Sequence, residues 1–157
     1  DVYGLRVYSG ISWNCSLSHI GEGHLLFRPD VSKPVPKPPQ EERKTLNRIP
    51  YERYPWPMRV PARISAMVLA GVRRADAAEK CLFAAGHPDE IVPDDPLAAF
   101  EGRKGASLFA LAGDTGEVLA KQPLTAPPVW DGMIACRRRL YMSLQDGTLL
   151  CLGKERQ

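Results

Sequence analysis

The sequence predicts an all-β protein built from antiparallel sheets, and three observations carry that prediction. From Arg63 onward, short apolar runs alternate with Gly, Asp and Pro turn signals, which is the punctuation of strands. The run pattern then recurs once. Before it lies a proline-rich stretch that is unsuited to a sheet ladder, because proline lacks the amide donor.

Taken in order, the first candidates are the β-prone run Val2-Tyr3-Gly4-Leu5-Arg6-Val7-Tyr8 and the run His24-Leu25-Leu26-Phe27, introduced by Gly21-Glu22-Gly23. Trp13, between them, is expected to pack on one sheet face. Nine of the fifteen prolines fall between Pro29 and Pro61, and Lys37 and the run from Gln40 to Lys44 keep that stretch polar. It reads as an extended surface loop with polyproline character near its start. An SH3-type ligand at Pro36 to Pro39 is the lesser reading, because such a motif is short and common. Trp56 is expected to anchor the chain where it re-enters the sheet.

Four runs follow: Ile64 to Ala70, Cys81 to Ala85, Ser107 to Ala112, and Glu117 to Lys121, the last after the turn Gly113-Asp114-Thr115-Gly116. Joined by turns, they predict one four-stranded sheet. Gly132 to Cys136, Leu140 to Leu144 and Thr148 to Leu152 echo the first three of them. Gln145-Asp146-Gly147 supplies an Asp-Gly hairpin signal, whose two-residue form needs positive φ at both central positions. The first unit carries an insert, His87 to Gly105, in which Asp95-Pro96 is expected to start a short helix ending before Gly105. The second unit lacks a fourth strand. Self-similarity on this scale is the signature of stacked sheet units such as propeller blades.

Composition sets bounds. The net charge of +3 is weak and the basic residues are dispersed, Arg137-Arg138-Arg139 reading as a solvated turn, so no nucleic-acid partner is expected. No run reaches the roughly 18 apolar residues of a membrane helix. The chain starts at Asp1 without a signal peptide and inside a strand-like run, so it is expected to be a piece of a longer protein. Cys15, Cys81, Cys136 and Cys151 lack C-x-x-C spacing. The last three lie in apolar runs and are expected to be small buried hydrophobes; the sequence leaves disulfides open.

No catalytic, cofactor-binding or metal-binding residue is assigned. His19, His24 and His87 are scattered along the chain, and no nucleophile-elbow, zincin or phosphate-loop motif occurs; Gly102-Arg103-Lys104-Gly105 lacks the Walker spacing. Asp89, Glu90, Asp94 and Asp95 lack EF-hand spacing and are expected to form a solvated acidic loop.

Phe109-Ala110-Leu111 followed by Asp114-Thr115-Gly116-Glu117-Val118-Leu119 resembles the repeat of pyrroloquinoline-quinone-type (quinoprotein-like) β-propellers. The segment from Ala126 to Gly153 is similar to a terminal blade of that family, as found in large secreted bacterial proteins. The likeness covers Pro57 to Gly153 and is weak before it. It implies about two antiparallel four-stranded blades of an incomplete propeller. Residues 1–30 are then a partial upstream blade, with Val2 to Leu5 its third strand. Residues 31–61 are the Pro-rich loop, 62–125 the penultimate blade with insert 87–105, and 126–157 the terminal blade. Its open edge is expected to take a strand from the beginning of the intact protein. Ala112 stands where the repeat often has Asp, and Ala120 where it often has a Trp that docks between blades. Both departures count against a regular Trp-latched ring and against a true quinoprotein dehydrogenase.

The resemblance therefore implies a non-catalytic, extracytoplasmic scaffold presenting loops to a protein or cell-envelope partner, with no cofactor or metal. The alternative is the C-terminal tail of a quinone-dependent dehydrogenase whose catalytic residues lie upstream.

Overall fold

The computed structural model describes residues 3–6, 21, 23–29, 32, 56–74 and 77–153. These residues form ten strands and no helix. The strands are β1 (Gly4–Arg6), β2 (His24–Arg28), β3 (Trp56–Val60), β4 (Ala62–Arg74), β5 (Ala77–Pro88), β6 (Ala106–Ala112), β7 (Val118–Leu124), β8 (Pro128–Cys136), β9 (Arg139–Leu144) and β10 (Leu149–Gly153). They make three sheets in which consecutive strands pair: β1-β2-β3, β4-β5-β6-β7 and β8-β9-β10. Every pair is antiparallel. The predicted all-β antiparallel class is what the chain adopts, in sheets of three, four and three strands.

The sheets stack in chain order, with the four-stranded one in the middle. Successive side chains of a strand point to opposite faces, and in β5 and β6 both faces are covered. Leu82, Ala84, Phe109 and Leu111 meet Leu26, Trp56 and Val60 of sheet 1 in one core. Ala85 and Leu108 meet Leu140, Met142 and Leu144 of sheet 3 in a second core. Burial on both sides is why these strands read as unbroken apolar runs rather than alternating ones. β9 covers one face only, and there Leu140, Met142 and Leu144 are buried between less buried residues. Each such large apolar side chain contributes about 1.5–3 kcal/mol.

Two short links carry the chain from the last strand of one sheet to the first of the next. Pro61 joins β3 to β4, and Thr125 to Pro127 join β7 to β8. The links are equivalent by register. Val60 pairs with His24 and Trp56 with Arg28; Leu124 pairs with Ala106 and Ala120 with Ala110. Gly23 and Gly105, one residue before these strands, both take positive φ, 68° and 67°. A Cβ there would strike the carbonyl of Val60 or of Leu124, so the close approach of backbones excludes a side chain at both places.

Several expectations change. The Pro-rich stretch 31–61 ends in strand β3, because Pro57 and Pro61 occupy positions that leave its pairing with β2 intact. Two strands follow β1 in its sheet, so β1 is third from the end, as β5 is in sheet 2, rather than the third strand of a blade. Asp95-Pro96 starts no helix. Residues 96–104 form linked turns, held by bonds such as Ala98 N to Asp95 O (3.0 Å) and Gly102 N to Ala99 O (3.1 Å), and Ala98 and Ala99 are buried. The insert 87–105 is therefore partly core. The β9–β10 turn has a three-residue loop in which Leu144 and Thr148 close the ladder and only Gly147 has positive φ, 86°. Positive φ at two successive non-glycine residues occurs instead at Arg137 (49°) and Arg138 (63°), the β8–β9 turn. Trp13, His19, Cys15 and Pro36 to Pro39 lie outside the described residues. No helix is long and apolar enough to cross a membrane among the described residues.

Candidate functional site

Two places bring chemistry-bearing residues together. The first lies where β2 and β4 begin and β5 ends. Asp89 follows β5 and is 8% exposed, so it is not part of a solvated acidic loop. Its Oδ1 accepts from Arg63 Nε at 2.8 Å and its Oδ2 from the Gly23 amide at 2.7 Å. Burial opposes ionisation of Asp89, but the hydrogen bonds from Arg63 and Gly23 and the guanidinium charge outweigh it and hold the carboxyl below its usual range. Of the other three acids, Glu90 and Asp94 are exposed, while Asp95 pairs with Arg103 at 2.5 Å; Arg103 also contacts Glu101. The Gly102–Gly105 segment is thus a self-paired turn.

The scattered histidines do not stay scattered. His24 and His87 both sit in the field of Arg63 and Asp89, and His87 acts on His24. His24 is buried, and its Nδ1 accepts from the Ile64 amide at 2.9 Å. That bond leaves the proton on Nε2, which is buried without a hydrogen-bond partner among the described residues. Burial, reinforced by the Arg63 charge, lowers the His24 pKa to about 4. His87 is lowered too, first by burial; its Nδ1 donates to the Pro88 carbonyl at 3.0 Å and its ring meets Phe100 edge-on. Two neutral imidazoles beside an ionised carboxylate paired with Arg63 tie sheet 1, sheet 2 and the insert together. Among the described residues no group of three or more His, Cys, Asp or Glu is placed to hold a metal.

At the opposite end of β5, Trp56 performs a related task. Its Nε1 donates to the Gly113 carbonyl at 3.0 Å, and its ring lies where a side chain at Gly116 would be, 2.5 Å from an added Cβ. The Tyr3 hydroxyl donates to the same carbonyl at 3.0 Å, and the two rings are 5.7 Å apart. Trp56 thus clamps the Asp114-Thr115-Gly116 turn of sheet 2 from the last strand of sheet 1. The sequence signal was the Trp itself; its partner lies far along the chain.

The second place is a cleft of about 830 Å³ between sheets 2 and 3. Phe83, Leu108, Ala110, Ala120 and Gln122 form one wall. Leu140 and Leu152 form the other, and Arg137, Arg138 and Arg139 rim it. It opens where Ala120 occupies the position that Trp56 fills in sheet 1. Cys136 and Cys151 are exposed, contrary to the expectation of burial, because they lie on the outer face of sheet 3, which no described residue covers; Cys81 is buried and its thiol pKa is raised by that burial. These three cysteines are free. No family model, curated protein or solved structure matches the chain.

Proposed function

We propose that this chain is a non-catalytic segment of a β-propeller-type scaffold of the cell envelope, presenting its insert to a protein partner. The observation that carries the reading is the serial stack of antiparallel meanders. Each sheet passes to the next through a short outer-to-first-strand link, and the Trp56 clamp joins two of them. Quinoprotein-like blades, suggested by the Asp114-Thr115-Gly116 repeat, are the architecture this arrangement supports best. The insert is a presentation surface: Ile91, Leu97 and Phe100 are exposed at 55%, 44% and 53%, while Ala98, Ala99 and Asp89 fix it from beneath. Loops held on a rigid sheet scaffold are the usual carriers of recognition.

The test replaces Ile91, Leu97 and Phe100 together by Ser and follows envelope cross-linking of the parent protein. The expected result is loss of the cross-linked species with an unchanged melting temperature. Retention of that species would refute the insert as the recognition surface. Titration calorimetry with pyrroloquinoline quinone and Ca²⁺ separates the alternative, since saturable micromolar binding would favour a dehydrogenase tail.

A further inference from the structure

β8 leaves its ladder near its start. Pro128 pairs with Leu144 and Met133 with Met142, so the four residues Val129 to Gly132 lie opposite Ser143 alone. In β4, the corresponding first strand of sheet 2, the irregularity between Ile64 and Ala66 adds only Ser65. Bulges re-aim side chains out of a ladder. Here the bulge carries Trp130, 75% exposed, the most exposed large hydrophobic side chain among the described residues. Asp131 closes the bulge at φ 53°, a left-handed conformation that Asp adopts more readily than most residues. Gly132 then returns against Val129, where a Cβ would strike the Val129 side chain. The base is held through the Pro128 carbonyl, which accepts from Ser65 Oγ at 3.4 Å and Gln145 Nε2 at 3.5 Å, and through the Pro127 carbonyl, which accepts from the Gln145 amide at 2.9 Å. Trp130 and Asp131 thus sit on a fixed protrusion of the strand of sheet 3 farthest from β10.

The insert reaches the same place. An added Cβ at Gly102 would lie 2.8 Å from Pro127 Cδ and 3.7 Å from Gln145 Oε1, so the insert turn rests on the base of the bulge. Chain lengths then put Phe100 and Trp130 no more than about 25 Å apart, a distance that about seven extended residues span. The free charges beside the bulge have one sign. Arg103 is taken by Asp95 and Glu101, and Lys104 acts on Asp95. Asp131, next to Trp130, and Asp146, next to Gln145, are exposed and make no ion pair with a described residue.

We propose that Trp130 and Asp131 receive an arginine side chain of the partner protein, while apolar residues of the same partner segment lie on Leu97 and Phe100. The guanidinium stacks on the indole face, where the ring quadrupole attracts it, and donates in its own plane to the Asp131 carboxylate. Asp146 adds to the field that draws it in. Lysine, a compact and strongly hydrated charge, gains less from such a site. Tryptophan and arginine are both enriched at the energetic centres of protein interfaces. The proposal rests on the scaffold reading and adds to it the chemistry of the partner.

The probe is a fluorescein-labelled peptide of about nine residues, with two leucines at the labelled end, one arginine at the other and glycine and serine between, followed by anisotropy. Saturable binding to the wild-type chain is expected. Trp130→Ala should weaken it about tenfold or more, and Asp131→Asn about threefold, since Asn tolerates the same left-handed φ. Citrulline in place of arginine keeps the shape and removes the charge. It should weaken binding to the wild type about three- to tenfold and remove most of the salt dependence. In the double variant Trp130→Ala, Asp131→Asn the same exchange should matter less than about twofold, because the charge has lost its receptor. Both side chains are exposed, so circular dichroism melts of the variants should match the wild type. Equal binding by wild type and Trp130→Ala overturns the proposal, as does equal binding of the arginine and citrulline peptides or the lack of any saturable binding. A cello-oligosaccharide that binds where the peptide does not, and is lost in Trp130→Ala, assigns the ring to a sugar and also overturns it. Failure here with the insert variants still losing their envelope partner leaves the scaffold reading standing.

Discussion

The Gly113 carbonyl receives two side-chain donors from sheet 1, Trp56 Nε1 and Tyr3 Oη, both at 3.0 Å, and Gly113 is buried. That shared acceptor makes a specific prediction about non-additivity. Trp56→Phe keeps an aromatic ring near Gly116 but removes one donor, and Tyr3→Phe removes the other with little change in shape. After either single change the carbonyl still has a partner, so each costs about 1 kcal/mol, the net worth of one hydrogen bond. Trp56→Phe adds about 1 kcal/mol for the smaller ring. The double variant leaves a buried carbonyl without either donor, and desolvation of an unsatisfied group costs about 1–3 kcal/mol more. The double variant should therefore fall below the sum of the singles by about 1–2 kcal/mol, roughly 2–8 °C in melting temperature for a chain of this size. Urea unfolding followed by far-ultraviolet circular dichroism measures all four corners of the cycle without relying on the fluorescence of Trp56. Additivity within about 0.5 kcal/mol would refute the shared-acceptor account of how sheets 1 and 2 are joined.

Arg137 and Arg138 hold positive φ in a two-residue turn that asparagine and glycine adopt at lower cost. Arg137→Asn with Arg138→Gly should raise stability by about 1–2 kcal/mol in urea titrations. In the unfolded chain His24 takes up a proton near pH 6.5, whereas the folded residue resists until about 4. Stability is therefore lost as pH falls from about 6.5 toward 4, by about 3 kcal/mol. The loss deepens below pH 4, where Asp89, lowered in the folded state, is forced to protonate. Unfolding curves between pH 7 and 4 check this, and His24→Asn, which retains an acceptor toward the Ile64 amide, should flatten the upper part of the slope. Thiol labelling of the native chain, mapped by mass spectrometry, should modify Cys136 and Cys151 quickly and Cys81 only on unfolding.

The strands of sheets 2 and 3 were legible from sequence because their information is local. Apolar runs such as Cys81 to Ala85 and Ser107 to Ala112 sit between residues that break pairing, and that contrast survives without knowledge of neighbours. β3 was missed because its pairing is decided by β2, and Pro57 and Pro61 masked five paired residues. The predicted helix at Asp95-Pro96 failed because the cap signals were present without an apolar face long enough to hold a helix. Instead Ala98 and Ala99 tuck their small side chains into the core from successive turns.

The candidate sites lie almost wholly beyond the reach of sequence. His24, Arg63, His87 and Asp89 share no motif, and Gly23 and Asp89 are brought into contact only when the sheets stack. Cys81, Cys136 and Cys151 occupy similar apolar runs, yet one is buried and two are exposed. Strand alternation assigns each side chain to one of two faces, but whether a face is covered depends on the sheet packed against it. The sequence by itself determined the antiparallel class and the segmentation after Arg63. Only the tertiary structure decided which faces are core, which acceptor Trp56 takes and where the cleft opens. These are contacts between residues distant in sequence, whose energies arise from mutual burial and have no counterpart in any local pattern.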